Sequence, residues 1–270
     1  MTNYKIGFVG AGKMASAIIK GLIKTGFAKP EELIATQAEK DTLEEKSKLL
    51  GIKVISDNKE LANSVNTVFI ATKPNQVEGV LAEILPYINS EKLVVSIAAG
   101  VTTTKLEAGL PEGTRVIRVM PNTPALVGEG MSGMVGGKNA KTEDLEYIKE
   151  RLSTIGRCIV VDNEAQIDIV TAISGSGPAF FYKVINEIAR AGEKLGLDYE
   201  KSLLLSIQTA IGSAKMALHR EIPMEELIAN VATKGGCTRV GVDCMDENDT
   251  EKLFDDVIKS TTEKAHALGK

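Results

Sequence analysis

The sequence predicts two domains: an α/β domain of parallel strands followed by an all-α domain. Three observations predict them. Residues 5–120 alternate short, β-branched apolar runs with stretches of helical periodicity, the pattern of strands joined through crossover helices. The first apolar run leads straight into Gly10-Ala11-Gly12-Lys13-Met14-Ala15. From Ala165 onward the periodicity is almost wholly helical. The expected domains are therefore 1–162 and 163–270.

A strand is predicted at 5–9 and a helix at 14–24, then a strand at 33–35 and a charged helix ending at Leu50. The runs 65–71 and 93–97 are nearly all apolar, as strands covered on both faces are. Between them, helical spacing over 77–85 stops at Pro86, and another strand fits 115–120. Gly, Pro and Met crowd 121–137, which predicts loop with room for one strand. A helix at 142–152 and a strand at 158–161 close the first domain. Ser174-Gly175-Ser176-Gly177-Pro178 breaks the helical pattern, and helices follow at 179–195, 200–218, 224–231 and 250–268. No internal repeat or low-complexity tail is present.

Composition removes several function classes. The 270 residues are 43% apolar and 25% charged, ordinary for a globular chain with a real core. With 32 basic against 36 acidic residues, the net charge is −4. No basic surplus exists to neutralise phosphates, so nucleic acid is not expected as a partner. Trp is absent and aromatics are 4%, which argues against stacking platforms for bases. Cys158, Cys237 and Cys244 form no CxxC pair, and His219 lies far from His266. Neither a disulfide framework nor a metal site is expected, and a reducing cytoplasm fits best. Lys5, Lys13 and Lys20 interrupt the first apolar run, so it does not read as a signal peptide. No apolar stretch is long enough to span a bilayer, and no membrane is expected.

The turn after the first strand reads GxGxxA, the fingerprint of a Rossmann-type dinucleotide fold. Gly10 permits the tight turn, Gly12 lets the backbone approach a pyrophosphate, and Ala15 lets helix and strand pack closely. The pyrophosphate then rests on the N–H groups of the helix start. The bland alternative is a strand–helix turn that happens to contain glycines. An NAD site carries an acid at the end of the second strand. Here that strand ends Ile34-Ala35-Thr36-Gln37, with Glu39 further into the loop and Lys40 beside it. Hydroxyl and amide donors without a carboxylate suit a 2′-phosphate, so NADPH is the expected cofactor and NADH the alternative. An ordinary solvated turn is the competing account of Thr36 and Gln37.

Further segments sit at the carboxyl ends of predicted strands, where ligands of open α/β sheets bind. They are Ala71-Thr72-Lys73-Pro74, Ser96-Ile97-Ala98-Ala99-Gly100-Val101 and Met120-Pro121-Asn122-Thr123-Pro124-Ala125. The helical part adds Ser174-Gly175-Ser176-Gly177-Pro178-Ala179, the stretch 212–216, and the loop 230–238. Together these resemble the pyrroline-5-carboxylate reductase family over essentially the whole chain.

The resemblance implies a Rossmann domain plus a helical dimerisation domain, in a homodimer or larger homo-oligomer. It also implies a site where the helical domain of one subunit meets the cofactor domain of another. It places Gly10, Ala11, Gly12, Lys13, Met14 and Ala15 on the pyrophosphate, and Thr36, Gln37 and Asn58 at the adenosine end. Ala71, Thr72, Lys73, Pro74, Ala98, Ala99 and Asn230 fall on the cofactor too, the strand-end residues near its nicotinamide half. Gly235, Gly236, Cys237 and Thr238 would hold a substrate carboxylate, with Glu164 on the substrate side. The implied reaction is NADPH-dependent hydride transfer to the cyclic imine 1-pyrroline-5-carboxylate, giving L-proline. The family loop usually reads Ser-Pro-Gly-Gly-Thr-Thr; here it is Thr233-Lys234-Gly235-Gly236-Cys237-Thr238. Lys234 frees the loop and adds a charge, and Cys237 is a weaker hydrogen-bonding side chain than threonine.

A protonated imine needs positioning rather than strong acid catalysis, which accounts for the lack of any histidine constellation. Gly-Gly exposes backbone N–H donors for a carboxylate, and Thr238 adds a hydroxyl. Ser174, Ser176, or a water held by Glu164, would exchange the nitrogen proton. The alternatives are a reductase of another cyclic imine acid and a non-catalytic dinucleotide-binding relative. A 3-hydroxyacid dehydrogenase would need a lysine with Asn four residues later, and neither Lys183 nor Lys215 has one. Bland readings make Ser174–Pro178 a helix start, Lys73 a surface lysine, Cys158 a packed strand residue, Cys237 a small filler, and both histidines surface groups.

Overall fold

In the computed structural model residues 4–269 are described; the outermost residues of the two expected domains, 1–3 and 270, lie outside them. Two compact units result, Met1–Ser176 with Thr261–Lys270, and Gly177–Ser260.

The first unit is built on one eight-stranded sheet in the order β3-β2-β1-β4-β5-β6-β7-β8. The strands are β1 (Ile6–Val9), β2 (Leu33–Thr36), β3 (Lys53–Ile55), β4 (Thr67–Ile70), β5 (Leu93–Ser96), β6 (Arg115–Met120), β7 (Gly130–Gly136) and β8 (Gly156–Val160). β3 through β6 run parallel, β7 pairs antiparallel to β6, and β8 is parallel to β7. Chain order runs outward from β1 to β3, then returns to the other side of β1 as β4. The reversal point lies between β1 and β4, and ligands of such sheets bind at the carboxyl ends there.

The helices of this unit are α1 (Lys13–Lys24), α2 (Leu43–Leu50), α3 (Asn58–Ser64), α4 (Val77–Ile84), α5 (Thr103–Ala108), α6 (Thr142–Leu152) and α7 (Glu164–Val170). Two apolar clusters cover the sheet faces. One gathers Phe8, Ile18, Leu22, Phe69 and Ile148; the other gathers Leu61, Val68, Leu81, Val94 and Leu106. Phe8 and Phe69 stack at 4.8 Å between ring centroids. Cys158 is packed in β8 as a small apolar residue, and burial pushes its thiol up to about 12, which keeps it protonated and inert.

Three elements of this unit escape the sequence pattern, each for a local reason. β3 is a three-residue edge strand beginning on exposed Lys53. α3 rests on its caps: Asp57 accepts from the Lys59 and Glu60 N–H groups, and Lys92 Nζ donates to Ala62 O and Val65 O at its far end. Burial of that ammonium lowers its pKa. α5 has only six residues and is capped by Thr102.

The glycine-serine segment after α7 closes a wide turn and then breaks the helix at Ser176, ahead of the next helix at Gly177. Thr171–Gly175 forms a π-turn, with Ser176 N donating to Thr171 O at 2.8 Å. A helix tolerates such a turn where a side chain would not fit, and a Cβ on Gly175 would lie 2.6 Å from Met120 Cε. α7 stays on the sheet because Val170 abuts Gly133 of β7 and Glu164 pairs with Arg118 of β6. The compact first unit therefore runs on to Ser176.

The second unit holds α8 (Gly177–Lys194), α9 (Tyr199–Leu218), α10 (Met224–Val231) and α11 (Cys237–Glu247). α8 and α9 meet along small residues: a Cβ on Gly192 would lie 2.7 Å from Ser202 Oγ, and Ser206 Oγ donates to Ile185 O at 3.1 Å. α11 was not predicted, because Gly235, Gly236 and Gly241 mask its periodicity. The final helix, α12 (Thr250–Gly269), has its last turns in the first unit. Among the described residues, no helix is long and apolar enough to cross a membrane.

Candidate active site

The turn after β1 is shaped by its glycines. Gly10 has φ +101°, and a Cβ there would lie 2.9 Å from Ala71 O. Only glycine meets both demands. Gly10 N donates to Thr36 Oγ1 at 3.2 Å, so Thr36, 3% exposed, fastens β2 to the turn rather than dangling in solvent. Gly12 is the N-cap of α1 and has no side chain to cap it; a Cβ there would meet nothing within 4 Å. Ahead of the helix start lies open space, faced by N–H groups that have no partner within the helix. Ala11 and Ala15 are buried behind them, while Lys13 is exposed and Met14 half-buried.

The remaining strand ends surround this turn. Gln37, half-buried, donates from Nε2 to Glu39 Oε2 at 2.9 Å, so a carboxylate does stand in the turn after β2. Asn58, beyond β3, donates from Nδ2 to Glu83 Oε2 at 2.8 Å. After β4, Ala71 N donates to Val9 O, and Lys73 and Pro74 are exposed. Thr72 Oγ1 is buried with no hydrogen-bond partner, an acceptor and donor left for a ligand. After β5, Ala98 is buried, Ala99 exposed, and Gly100 left-handed at φ +72°. An orphaned hydroxyl and an open glycine cradle at the reversal point fit a dinucleotide.

Behind the π-turn stands a buried charge network that sequence reasoning missed. Arg118, 2% exposed on β6, pairs through Nη1 with Glu164 Oε2 and reaches Asp168 Oδ1 at 3.8 Å through Nη2. Glu164 Oε1 accepts from Thr103 N at 2.6 Å. His266 Nδ1 lies 3.1 Å from Asp168 Oδ2. Both Glu164 oxygens are thus engaged inside the protein, and His266, although exposed, is paired. Asn122, within the strand-end segment 120–125, accepts from Met131 N at 2.8 Å and donates to Ser174 O at 3.0 Å, tying the loop after β6 to the π-turn. Ser174 Oγ donates to Val170 O.

In the second unit, Gly235 is left-handed at φ +79° and Gly236 is the uncapped N-cap of α11. Gly236 N donates to Thr233 O at 3.0 Å, closing the turn. Cys237 and Thr238 form the first turn of that helix, Cys237 exposed and Thr238 half-buried. A helix start with no side-chain cap and a hydroxyl beside it is suited to a carboxylate. Asn230 is exposed near the end of α10.

Known proteins match both parts of the chain. Residues 164–268 match the family described as pyrroline-5-carboxylate reductase dimerisation, and residues 5–100 match NADP oxidoreductase coenzyme F420-dependent. A pyrroline-5-carboxylate reductase of Methanosarcina acetivorans is 41% identical over 270 residues, covering 100% of both chains. The chain belongs to the pyrroline-5-carboxylate reductase family. The solved Coxiella burnetii member is 31% identical with a TM-score of 0.94 over 99% of each chain. The Plasmodium falciparum member, solved with NADP bound, is 34% identical with a TM-score of 0.86 over 100% of each chain. The family's two parts, a Rossmann-type sheet and a helical dimerisation domain, are both present, and its members are NAD(P)H-dependent oxidoreductases.

Proposed function

We propose that the protein reduces 1-pyrroline-5-carboxylate to L-proline with NADPH, in the cytoplasm. The observation that carries this reading is an open glycine cradle on α1 in the same chain as an uncapped Gly-Gly helix start on α11, within a full-length family match. Bound NADPH supplies the hydride. Gly10–Ala15 hold its pyrophosphate, with Thr36, Gln37 and Asn58 at the adenosine end. Thr72 Oγ1, with Ala71, Lys73, Pro74, Ala98, Ala99 and Asn230, lines the remainder. Gly235, Gly236, Cys237 and Thr238 bind the substrate carboxylate through backbone N–H groups and the Thr238 hydroxyl. This orients the imine carbon, and positioning supplies about 7–11 kcal/mol in favourable cases. The residues assigned to the carboxylate lie in the second unit.

Ser176, next to the π-turn, holds the proton at the imine nitrogen. Ser176→Ala is expected to lower kcat by about 100-fold, the lower end for a positioned proton donor, with the KM for NADPH unchanged. An unaltered kcat and pH profile would remove Ser176 from proton transfer. Glu164, engaged by Arg118 and Thr103 N, supports the substrate side from behind.

The functional unit is a homodimer or larger. Phe181, Tyr182, Leu195, Leu204, Met216 and Val240 each leave more than three-fifths of their surface exposed on the single chain, an apolar area that soluble monomers rarely show. Leu204→Glu is expected to shift the mass measured by light scattering toward one chain, since burying a charge without a partner opposes association; an unshifted mass would place the interface elsewhere.

A second reading, reduction of another cyclic imine acid, is favoured by Lys234 and Cys237. Steady-state loss of NADPH and of NADH with 1-pyrroline-5-carboxylate tests the proposal. Turnover faster with NADPH supports it; dinucleotide binding without turnover points to another imine or to a non-catalytic role.

A further inference from the structure

A cavity of about 640 Å³ opens beside the residues assigned to the nicotinamide half, lined by Pro74, Ala99, Gly100, Val101 and Lys105 and, from the last turn of α12, Leu268. The backbone of that turn is seated closely on the loop after β5. A Cβ on Gly100 would lie 3.2 Å from Leu268 O, and one on Gly269 would lie 3.5 Å from Thr102 Cγ2. At the start of the same turn, His266 Nδ1 meets Asp168 Oδ2 at 3.1 Å. Asp168 is anchored in turn by buried Arg118, which also holds Glu164, whose second oxygen accepts from Thr103 N at the head of α5. One guanidinium thus fixes both sides of the contact: the loop on which α12 sits and the carboxylate that fastens α12.

We infer that His266 is a positioning residue for the dinucleotide: its bond to Asp168 seats the last turn of α12 as a wall of the nicotinamide-side cavity. The inference rests on the placement of the nicotinamide half under Proposed function. A ligand with that half feels the wall; a ligand ending at the adenosine diphosphate ribose does not. His266 touches no expected ligand itself and acts through Leu268 and Gly100.

Binding of NADPH and of 2′-phospho-ADP-ribose, which lacks the nicotinamide ring, is measured by calorimetry for wild type, His266→Ala and His266→Gln. His266→Ala is expected to weaken NADPH by about fivefold, the worth of one hydrogen bond, and to leave 2′-phospho-ADP-ribose unchanged. His266→Gln, which keeps a donor toward Asp168, is expected to recover most of the loss. Unchanged NADPH binding in His266→Ala overturns the inference, and so does an equal loss for both ligands. Should His266→Ala fail to fold, Leu268→Trp, which fills the cavity from the same turn, is read in the same way: selective loss of NADPH supports the wall, and wild-type binding overturns it. These readouts need no turnover, so a failure of the proposed reaction would show separately as an inactive wild type that still binds NADPH.

Discussion

Replacing Arg118 by leucine is expected to destabilise the protein by about 3–5 kcal/mol, the cost of leaving buried charges without their partner. Glu164 and Asp168 both turn toward this guanidinium, which is 2% exposed in the middle of β6. Leucine fills part of the space but leaves two carboxylates facing an apolar strand. α7 and the π-turn would lose their tie to the sheet, and α5 would lose the anchored acceptor for Thr103 N. Urea unfolding followed by circular dichroism measures the loss. A shift below about 1 kcal/mol, the range of exposed pairs, would show that the network is solvated and not structural. A triple variant that also removes both carboxylates is expected to recover part of the loss, because no charge is then left alone.

Gly12→Val is expected to weaken NADPH binding by on the order of 100-fold, equivalent to losing one or two charge-assisted hydrogen bonds to the pyrophosphate. The fold should stay largely intact. A Cβ at Gly12 meets no protein atom within 4 Å, so the added methyls extend into the space a pyrophosphate needs. The stability cost is about 1 kcal/mol for a poor N-cap. Gly10→Ala contrasts with it, since a side chain there meets Ala71 O and a backbone at φ +101°. That variant is expected to lose stability along with binding. Calorimetric titration with NADPH, paired with urea unfolding, separates the two. Equal NADPH affinity in Gly12→Val and wild type would move the pyrophosphate away from α1.

Sequence and structure agree most closely where the chain is buried on both sides. β1, β4 and β5 announce themselves as apolar runs because both sheet faces are covered. The glycine turn is legible because its spacing answers a backbone demand that is local to the turn. What stays hidden in sequence depends on partners far apart along the chain. Arg118 and Glu164 are 46 residues apart, and His266 and Asp168 are 98 apart; nothing near His266 marks it as more than a helix-surface residue. The break expected at 174–178 falls at Ser176, and the π-turn ahead of it ends on Gly175, where Met120 approaches too closely for a side chain, a contact no local pattern shows. α11 is hidden by its glycines, yet its start turns the predicted loop into a helix N-terminus. That strengthens the case for the Gly235–Thr238 segment as a carboxylate binder.

The central claim, hydride transfer to a cyclic imine, is tested most directly by isotope. The purified protein is supplied with NADPH deuterated at nicotinamide C4 and with 1-pyrroline-5-carboxylate, and the product is examined by mass spectrometry and NMR. The account predicts L-proline carrying one deuterium at C5, the former imine carbon. Cofactor oxidation without labelled proline, or no product from a protein that binds NADPH, would contradict it.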